Sequence, residues 1–468
     1  MIDLPNMPTR VTPWTFDRLL TGLVFLAIAV ACALTPMQTD SWWQLRAGRD
    51  MWLSRSVLLT DVYSHTAYGT FWSNHEWLAE VVFYALVKAG GLPLLTLFAT
   101  GLILGGWLIS WNLASGPVRE RFGWVALALM PASVWWEPRP HAFSLLFIMV
   151  TVALLARQRL WWLPLVFLVW ANCHGGVLLG FVLLGAGLGV QTLLAPRTFP
   201  RAVLVLLACM IAATATPLGL SFWTEIPSSL ARIRLYPLDE WRRPLLTELP
   251  MLPFWIAASA FCYGLVRQRH QLRQASPGQA TLYACALALL PMSASAVRHV
   301  GPFLMIAAPA LTTLLPWPRR SDAVARVEHP LLNVTVMTLA SLAVVATVAW
   351  SYWNQIPKLR WTPVPAGALA ALQQCPDNLY NRYDEGGYLL WFAPDRKVFM
   401  DGRQDPFPPA LVLEHIEVEH GRKDYRDVFA RHNIHCAYLP TISPTATRLT
   451  EAGWTTLYRD PDWVVLRE

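Results

Sequence analysis

The chain has 468 residues, of which 55% are hydrophobic and only 14% charged, and its mean hydropathy is +0.37. A water-soluble domain carries about 25% charged residues, so these proportions exclude an ordinary soluble protein and point to an integral membrane protein. The net charge of +7 is not a nucleic-acid footprint, because the arginines sit in short segments between apolar runs, as the positive-inside rule produces.

Residues 1–18 are polar and contain Arg10 and Arg18, which favours a cytoplasmic N-terminus. Residues 19–34 form the first predicted span, read as a retained anchor rather than a cleaved signal. The first outer loop, 35–91, follows. Asp40 stands directly before Trp42 and Trp43, and a second aromatic turn, Phe71-Trp72-Ser73-Asn74, leads into His75-Glu76. Trp prefers the membrane–water interface, and carboxylates among such rings belong at the lip of the bilayer, facing water or a polar cavity. Glu76, Glu80, Tyr84 and Lys88 recur every four residues among apolar neighbours, which predicts an interfacial helix over 76–90. If that helix lies flat, eleven spans result: 19–34, 92–114, 124–136, 141–156, 160–172, 175–195, 202–216, 250–266, 281–297, 300–316 and 331–350. Connections bearing Arg119/Arg121, Arg157/Arg159, Arg197/Arg201, Arg267/Arg269/Arg273 and Arg319/Arg320/Arg326 then all face the cytoplasm.

The same topology gathers the polar ends of the other spans on the outer side. They are Glu137-Pro138-Arg139-Pro140-His141, Asn172-Cys173-His174-Gly175-Gly176, Thr216-Pro217-Leu218-Gly219 and Arg298-His299. An outer loop over 217–249 adds Arg232, Arg234, Asp239, Glu240, Arg242 and Arg243. From Ser351 the composition turns polar, so 1–350 is the membrane module and 351–468 a C-terminal α/β domain, placed outside the cytoplasm by an odd number of spans. In it 378–383, 397–401, 434–439 and 463–466 read as strands, and 408–419, 424–432 and 445–453 as helices. Cys375 and Cys436 lie there, either paired or as two free thiols; the five other cysteines fall in apolar runs and read as small hydrophobes.

Sugar transfer from a lipid-phosphate donor suits this outer cluster. The acceptor hydroxyl needs a carboxylate or His to take its proton, and the departing phosphate needs fixed cations. Asp40 fits the base, and Glu76 with His75 is either a second carboxylate or part of a divalent-cation site for Mg or Mn. Arg139 and Arg298, beside His141 and His299, suit the donor phosphate because a guanidinium forks onto phosphate oxygens. Each has a plainer reading. Asp40 could cap a helix starting at Trp42, Glu76 could open the next helix, and both arginines could snorkel to headgroups. Trp42 and Trp43 are a membrane belt or a sugar platform. Asn172 and His174 contact sugar or acceptor, or settle a bent helix end. Asp401-Gly402-Arg403 is either a turn with an internal ion pair or a flap over the acceptor.

The order of apolar span, Asp40, Trp42-Trp43, amphipathic loop, Asn74-His75-Glu76-Trp77, many spans and outer soluble domain resembles the GT-C type glycosyltransferases, such as the protein O-mannosyltransferases and the aminoarabinose transferase of lipid A. Arg139-Pro140, Trp170-Ala171-Asn172-Cys173-His174, Arg298-His299 and Asp401-Gly402-Arg403 extend the resemblance over most of the chain, to a bacterial polytopic family placed near them. The resemblance implies a polyprenyl-phosphate-linked sugar as donor, a glycan or lipid acceptor, and a multi-pass protein of a bacterial inner membrane with a periplasmic C-terminal domain. It puts the catalytic acid of the first outer loop at Asp40, with Glu76 second; the adjacent Asp-Glu pair of the mannosyltransferases is absent, since Ser41 follows Asp40. Readings from other classes are a transporter or flippase of a lipid-linked or anionic solute, and a non-catalytic envelope scaffold.

Overall fold

The computed structural model describes residues 14–232, 238–317, 328–375 and 378–468. Arg10, Arg234, Arg319, Arg320 and Arg326 lie outside the described residues. Helix α1 (Phe16–Ala33) leads into α2 (Thr39–Ser54) and α3 (Trp77–Leu113). The bundle continues through α4 (Val118–Ala132), α5 (His141–Ala156), α6 (Leu163–Cys173), α7 (Val177–Leu194) and α8 (Phe199–Thr214). It closes with α9 (Phe222–Arg232), α10 (Leu252–Arg267), α11 (Pro277–Ser295), α12 (Val300–Leu314) and α13 (Pro330–Asn354). Each of the eleven expected spans coincides with a helix. Among the described residues, seven helices are long and apolar enough to cross a membrane by length and composition, while α5 and α6 are apolar but shorter.

The break expected near residue 91 lies inside α3. Gly91 takes φ +69°, a value that side-chain-bearing residues rarely adopt, and Pro93 follows, so the chain turns between an N-terminal arm and a second, apolar segment. The polar stripe of that arm packs against α2, with Glu80 buried and Lys88 still exposed at its far end. Gln44 donates to Glu76, Gly48 lies against the Glu80 backbone, and Trp52 meets both Tyr84 and Lys88. Residues 44, 48 and 52 of α2 thus oppose 76, 80, 84 and 88 of α3, two four-residue repeats forming one helix seam.

Basic connections pack against one another in two sets: Arg201 reaches the Gln158 carbonyl, and Gln268 reaches the Leu314 carbonyl close to where Ser115 N–H meets the Thr312 hydroxyl.

The C-terminal region holds α14 (Ala366–Leu372), β1 (Asn378–Tyr380), α15 (Tyr383–Phe392), α16 (Pro409–Glu419) and α17 (Tyr425–Arg431). It ends with β2 (Ile434–Pro440), α18 (Pro444–Glu451), β3 (Thr455–Arg459) and β4 (Trp463–Arg467). The sheet order is β1-β2-β4-β3, with β1 parallel to β2 and the other pairs antiparallel. Cys375 and Cys436 are joined in a disulfide that ties the entry of β1 to β2, with Cα atoms 5.8 Å apart. Three sequence expectations are corrected. The predicted 378–383 strand ends at Tyr380, and Tyr383 opens α15. The predicted 397–401 strand joins no sheet: Val398 pairs instead with the first outer loop, through Val398 N–H to Tyr63 O and His65 N–H to Val398 O, both 3.0 Å. Strand β3 was not anticipated, because exposed Thr455, Thr456 and Arg459 give it no apolar face.

That pairing is one of many between the outer loop and the C-terminal region. Trp42 is buried against Trp391 and Phe392, Arg46 donates to the Leu390 carbonyl at 2.8 Å, and Met37 N–H reaches Leu359 O at 3.0 Å. The loop at 35–91 and the region from Leu359 onward therefore share a core.

Candidate active site

Helix α2 begins one residue before Asp40, with Gln38 at its N-cap position, so Asp40 sits in the first turn and not at the cap. Its carboxylate faces out of the helix onto the loop between α4 and α5. Arg139 Nη2 lies 2.6 Å from Asp40 Oδ2, and Trp43 Nε1 donates to Oδ1 at 3.1 Å. The Ser41 hydroxyl donates to the Pro138 carbonyl at 2.9 Å, which fixes the loop that carries Arg139. Pro138 and Pro140 restrict the backbone on both sides of that guanidinium.

Arg139 is the hub. Its Nη1 lies 3.2 Å from Glu137 Oε1 and 3.6 Å from Glu240 Oε2. Glu240 also takes a hydrogen bond from Arg298 Nη1 at 2.9 Å, and the Arg298 guanidinium stacks on Trp241 at 4.5 Å. Residues 40, 139, 240 and 298, far apart in sequence, thus form one continuous network. Burial pushes the Asp40 carboxyl up to about 6, with Arg139 pulling the other way and Glu240 adding to the rise. Burial also opposes ionisation of Glu240, but Arg298 and Arg139 outweigh it and hold that carboxyl below its usual range.

Glu76 heads a second set beside the first. It occupies the N-cap position of α3 without capping it; its Oε2 accepts from Gln44 at 2.9 Å, and its Oε1 lies 3.5 Å from His174 Nε2 and 3.8 Å from His75 Nε2. His174 follows α6 as its C-cap, and its Nδ1 is hydrogen-bonded twice. Trp170 Nε1 donates to the Ser144 hydroxyl at 2.7 Å, leaving that hydroxyl's proton for His174 Nδ1 at 2.6 Å, and Gly176 N–H donates to the same nitrogen at 3.0 Å. With Nδ1 an acceptor, the neutral ring carries its proton on Nε2, aimed at Glu76. Burial, then Arg298, drives His174 well below the ordinary range and keeps it neutral. His75 has the opposite arrangement: Nδ1 donates to the Ser73 carbonyl at 3.0 Å, which leaves the Nε2 lone pair facing Glu76 from 3.8 Å. Burial raises the Glu76 carboxyl, against the pull of His75 and Arg139.

Among the described residues no group of three or more His, Cys, Asp or Glu side chains is spaced for a divalent cation, and the His174 lone pair is spent on Ser144 and Gly176.

The remaining expected contact residues are engaged with other parts of the chain. Asn172 takes the Trp77 indole N–H at 2.8 Å and donates to the Leu168 and Ala215 carbonyls, consuming its amide. His141 Nε2 is bonded to the Trp135 carbonyl at 2.5 Å, and His299 packs edge-on to Trp241. Asp401 and Arg403 form the internal ion pair, fully buried, with Arg403 Nη2 2.7 Å from Asp401 Oδ2 and 2.6 Å from Asp61 Oδ1. Gly402 between them touches the site itself: a methyl there would overlap Asp40 Oδ1 and lie 3.1 Å from Trp43 Nε1. Sequence reading passed over Glu240 as a site residue, and also Gln44, Ser144 and Gly402. Glu240 and Gly402 were visible only as members of a charged loop and of a motif, while Gln44 stands four residues after Asp40 and so on the same helix face.

No protein-family model and no curated protein matches the sequence. Solved structures do. The chain superimposes on ArnT from Cupriavidus metallidurans bound to undecaprenyl phosphate with a TM-score of 0.51 at 15% identity, over 96% of this chain and 97% of that one. It superimposes on the Archaeoglobus fulgidus oligosaccharyltransferase, tethered to an acceptor peptide containing the NVT sequon, with a TM-score of 0.50 at 11% identity, over 90% of this chain and 69% of that one. The chain shares the fold of these two solved structures. With it, the apolar helices make the chain a multi-pass membrane protein.

Proposed function

We propose that the chain is an integral membrane glycosyltransferase that moves a sugar from a polyprenyl-phosphate donor to a glycan or lipid acceptor at the outer face of a bacterial inner membrane. The observation that carries the reading is the network itself: a carboxylate with a raised proton affinity held 2.6 Å from a guanidinium, beside a second guanidinium two contacts away. In the reaction the acceptor oxygen bonds to the sugar's anomeric carbon while the bond from that carbon to the phosphate oxygen breaks. Asp40 takes the acceptor's proton, and polyprenyl phosphate departs onto Arg139 and Arg298. Glu76, steadied by Gln44 and the His174 Nε2–H, exchanges protons with His75 beside it. A lipid-tailed donor must arrive from the bilayer, which accounts for a site at the end of the helix bundle. The Cys375–Cys436 disulfide supports a C-terminal region in an oxidising compartment such as the periplasm, with the basic ends and N-terminus cytoplasmic. A transporter reading is not favoured, because the linked carboxylates, arginines and histidines of the site lie at helix ends and in the loops between helices and not at the middle of the bundle.

The test uses the full chain in lipid nanodiscs with polyprenyl-phosphate sugars and an envelope glycan or lipid extract, following release of polyprenyl phosphate by mass spectrometry. Wild type is expected to release it in step with acceptor labelling. Asp40→Asn, folded and inserted, is expected to release none; wild-type transfer by that variant would defeat the assignment.

A further inference from the structure

The arginines assigned to the donor phosphate are not free to receive it. Glu240 spans them, one oxygen 2.9 Å from Arg298 Nη1 and the other 3.6 Å from Arg139 Nη1. A carboxylate bridging two guanidiniums makes the contacts that two phosphate oxygens would make in the same gap. The charge balance points the same way. Arg139 and Arg298 supply two positive charges against three negative ones on Asp40, Glu137 and Glu240. Adding the single negative charge of a sugar phosphodiester beside Glu240 would deepen a deficit already present in a partly buried site. Exchanging Glu240 for that phosphodiester leaves the balance unchanged.

The local structure permits such an exchange. Glu240 lies in the short 3-10 turn Asp239–Trp241, between α9 and α10. That turn is anchored by its neighbours. Trp241 packs on Arg298 and His299, and the Arg242 carbonyl accepts from Val297 N–H at 2.9 Å. Among the described residues the Glu240 carboxylate's ion pairs are with Arg298 and Arg139, and the side chain is 15% exposed. Trp241 and His141 also face that carboxylate, so displacement means rotating it away from them and the two arginines while the turn stays anchored.

We propose that Glu240 is a placeholder for the donor's phosphate: it holds Arg139 and Arg298 in their clamping positions when the site is empty and is displaced when the lipid phosphate binds. The proposal rests on the donor reading above and adds to it a residue that competes with the ligand. Two consequences follow. The clamp is preorganised before the donor arrives, and a weaker anion is rejected because it cannot outcompete an attached carboxylate.

The test measures binding of undecaprenyl phosphate to the full chain in nanodiscs for wild type, Glu240→Gln, Arg298→Gln and the double variant, with inorganic phosphate and undecaprenol as comparison probes. Thermal unfolding confirms that each variant is folded. Glu240→Gln is expected to bind undecaprenyl phosphate at least tenfold more tightly than wild type, and Arg298→Gln to bind it more weakly and to erase most of that gain in the double variant. Undecaprenol should show no gain. Equal or weaker binding by Glu240→Gln, with wild type binding, overturns the placeholder and leaves the donor reading standing. A gain seen with inorganic phosphate but not with the lipid overturns the lipid source. Absence of binding in wild type and Glu240→Gln alike overturns both readings.

Discussion

Arg403 is the residue on which the joint between the first outer loop and the C-terminal region turns, and its removal has a calculable cost. The side chain is fully buried, forks onto Asp401 at 2.7 and 2.8 Å, reaches Asp61 at 2.6 Å, and lies 4.9 Å from the ring centres of both Tyr63 and Trp72. Arg403→Met keeps an apolar stem of similar length and removes only the cation. Two buried carboxylates would then lose their counter-ion, and breaking a buried pair this way costs about 3–5 kcal/mol. Asp61 keeps the N–H groups of Tyr63 and Ser64 and the Ser64 hydroxyl, so the lower half of that range applies. If loop and C-terminal region unfold as the unit their shared core implies, the unfolding midpoint should fall on the order of 10 °C. Differential scanning fluorimetry in nanodiscs, with limited proteolysis of residues 351–468 as a second readout, measures it. Arg403→Lys should fall between, because an ammonium supplies the charge without the fork. A midpoint within about 2 °C of wild type for Arg403→Met, with unchanged proteolysis, would refute the claim that this ion triad joins the two parts.

Other outcomes follow from the same geometry. Because burial raises Asp40 to about 6, its proton-accepting form is lost as pH falls through that value, so transfer should show an acidic limb near pH 6; a flat profile between about pH 5 and 8 would remove Asp40 as the base. Gly402→Ala places a methyl onto Asp40 Oδ1, and a displacement approaching 1 Å at a reacting group lowers kcat about a hundredfold, with an overpacking cost of roughly 1–3 kcal/mol in stability. Unchanged kcat would show that the turn at 402 does not position Asp40. Replacing Cys375 and Cys436 together by Ser opens a covalent loop of sequence separation 61, for which chain entropy gives about 4 kcal/mol of lost stability, and urea titration of the variant against oxidised wild type measures it.

The sequence by itself determined that this is a helical membrane protein, because hydrocarbon demands long apolar runs and its edges collect Trp and Arg. It located a helix at each of the eleven expected spans, the break near Gly91, and the ends where charged groups collect, but not α9, which lies in what reads as an outer loop. The stripe at Glu76, Glu80, Tyr84 and Lys88 was visible, but its partner was not. A four-residue polar repeat looks the same whether it meets water or another helix, and only packing against Gln44, Gly48 and Trp52 decided which. The same holds for Val398, whose strand-like stretch pairs with a loop more than 300 residues earlier. Asp40 and Arg139 were recognisable one at a time from their aromatic and proline neighbours. Their union through Glu240 with Arg298 was not, since ion pairing depends on distance in space and Glu240 lies in a loop of mixed charge with no local pattern. Nor does sequence spacing assign the proton on His174, which is set by two donors, Ser144 and Gly176, on one ring nitrogen. Composition and periodicity record what each segment needs from its solvent; which charges neutralise one another is decided only when the chain has closed upon itself.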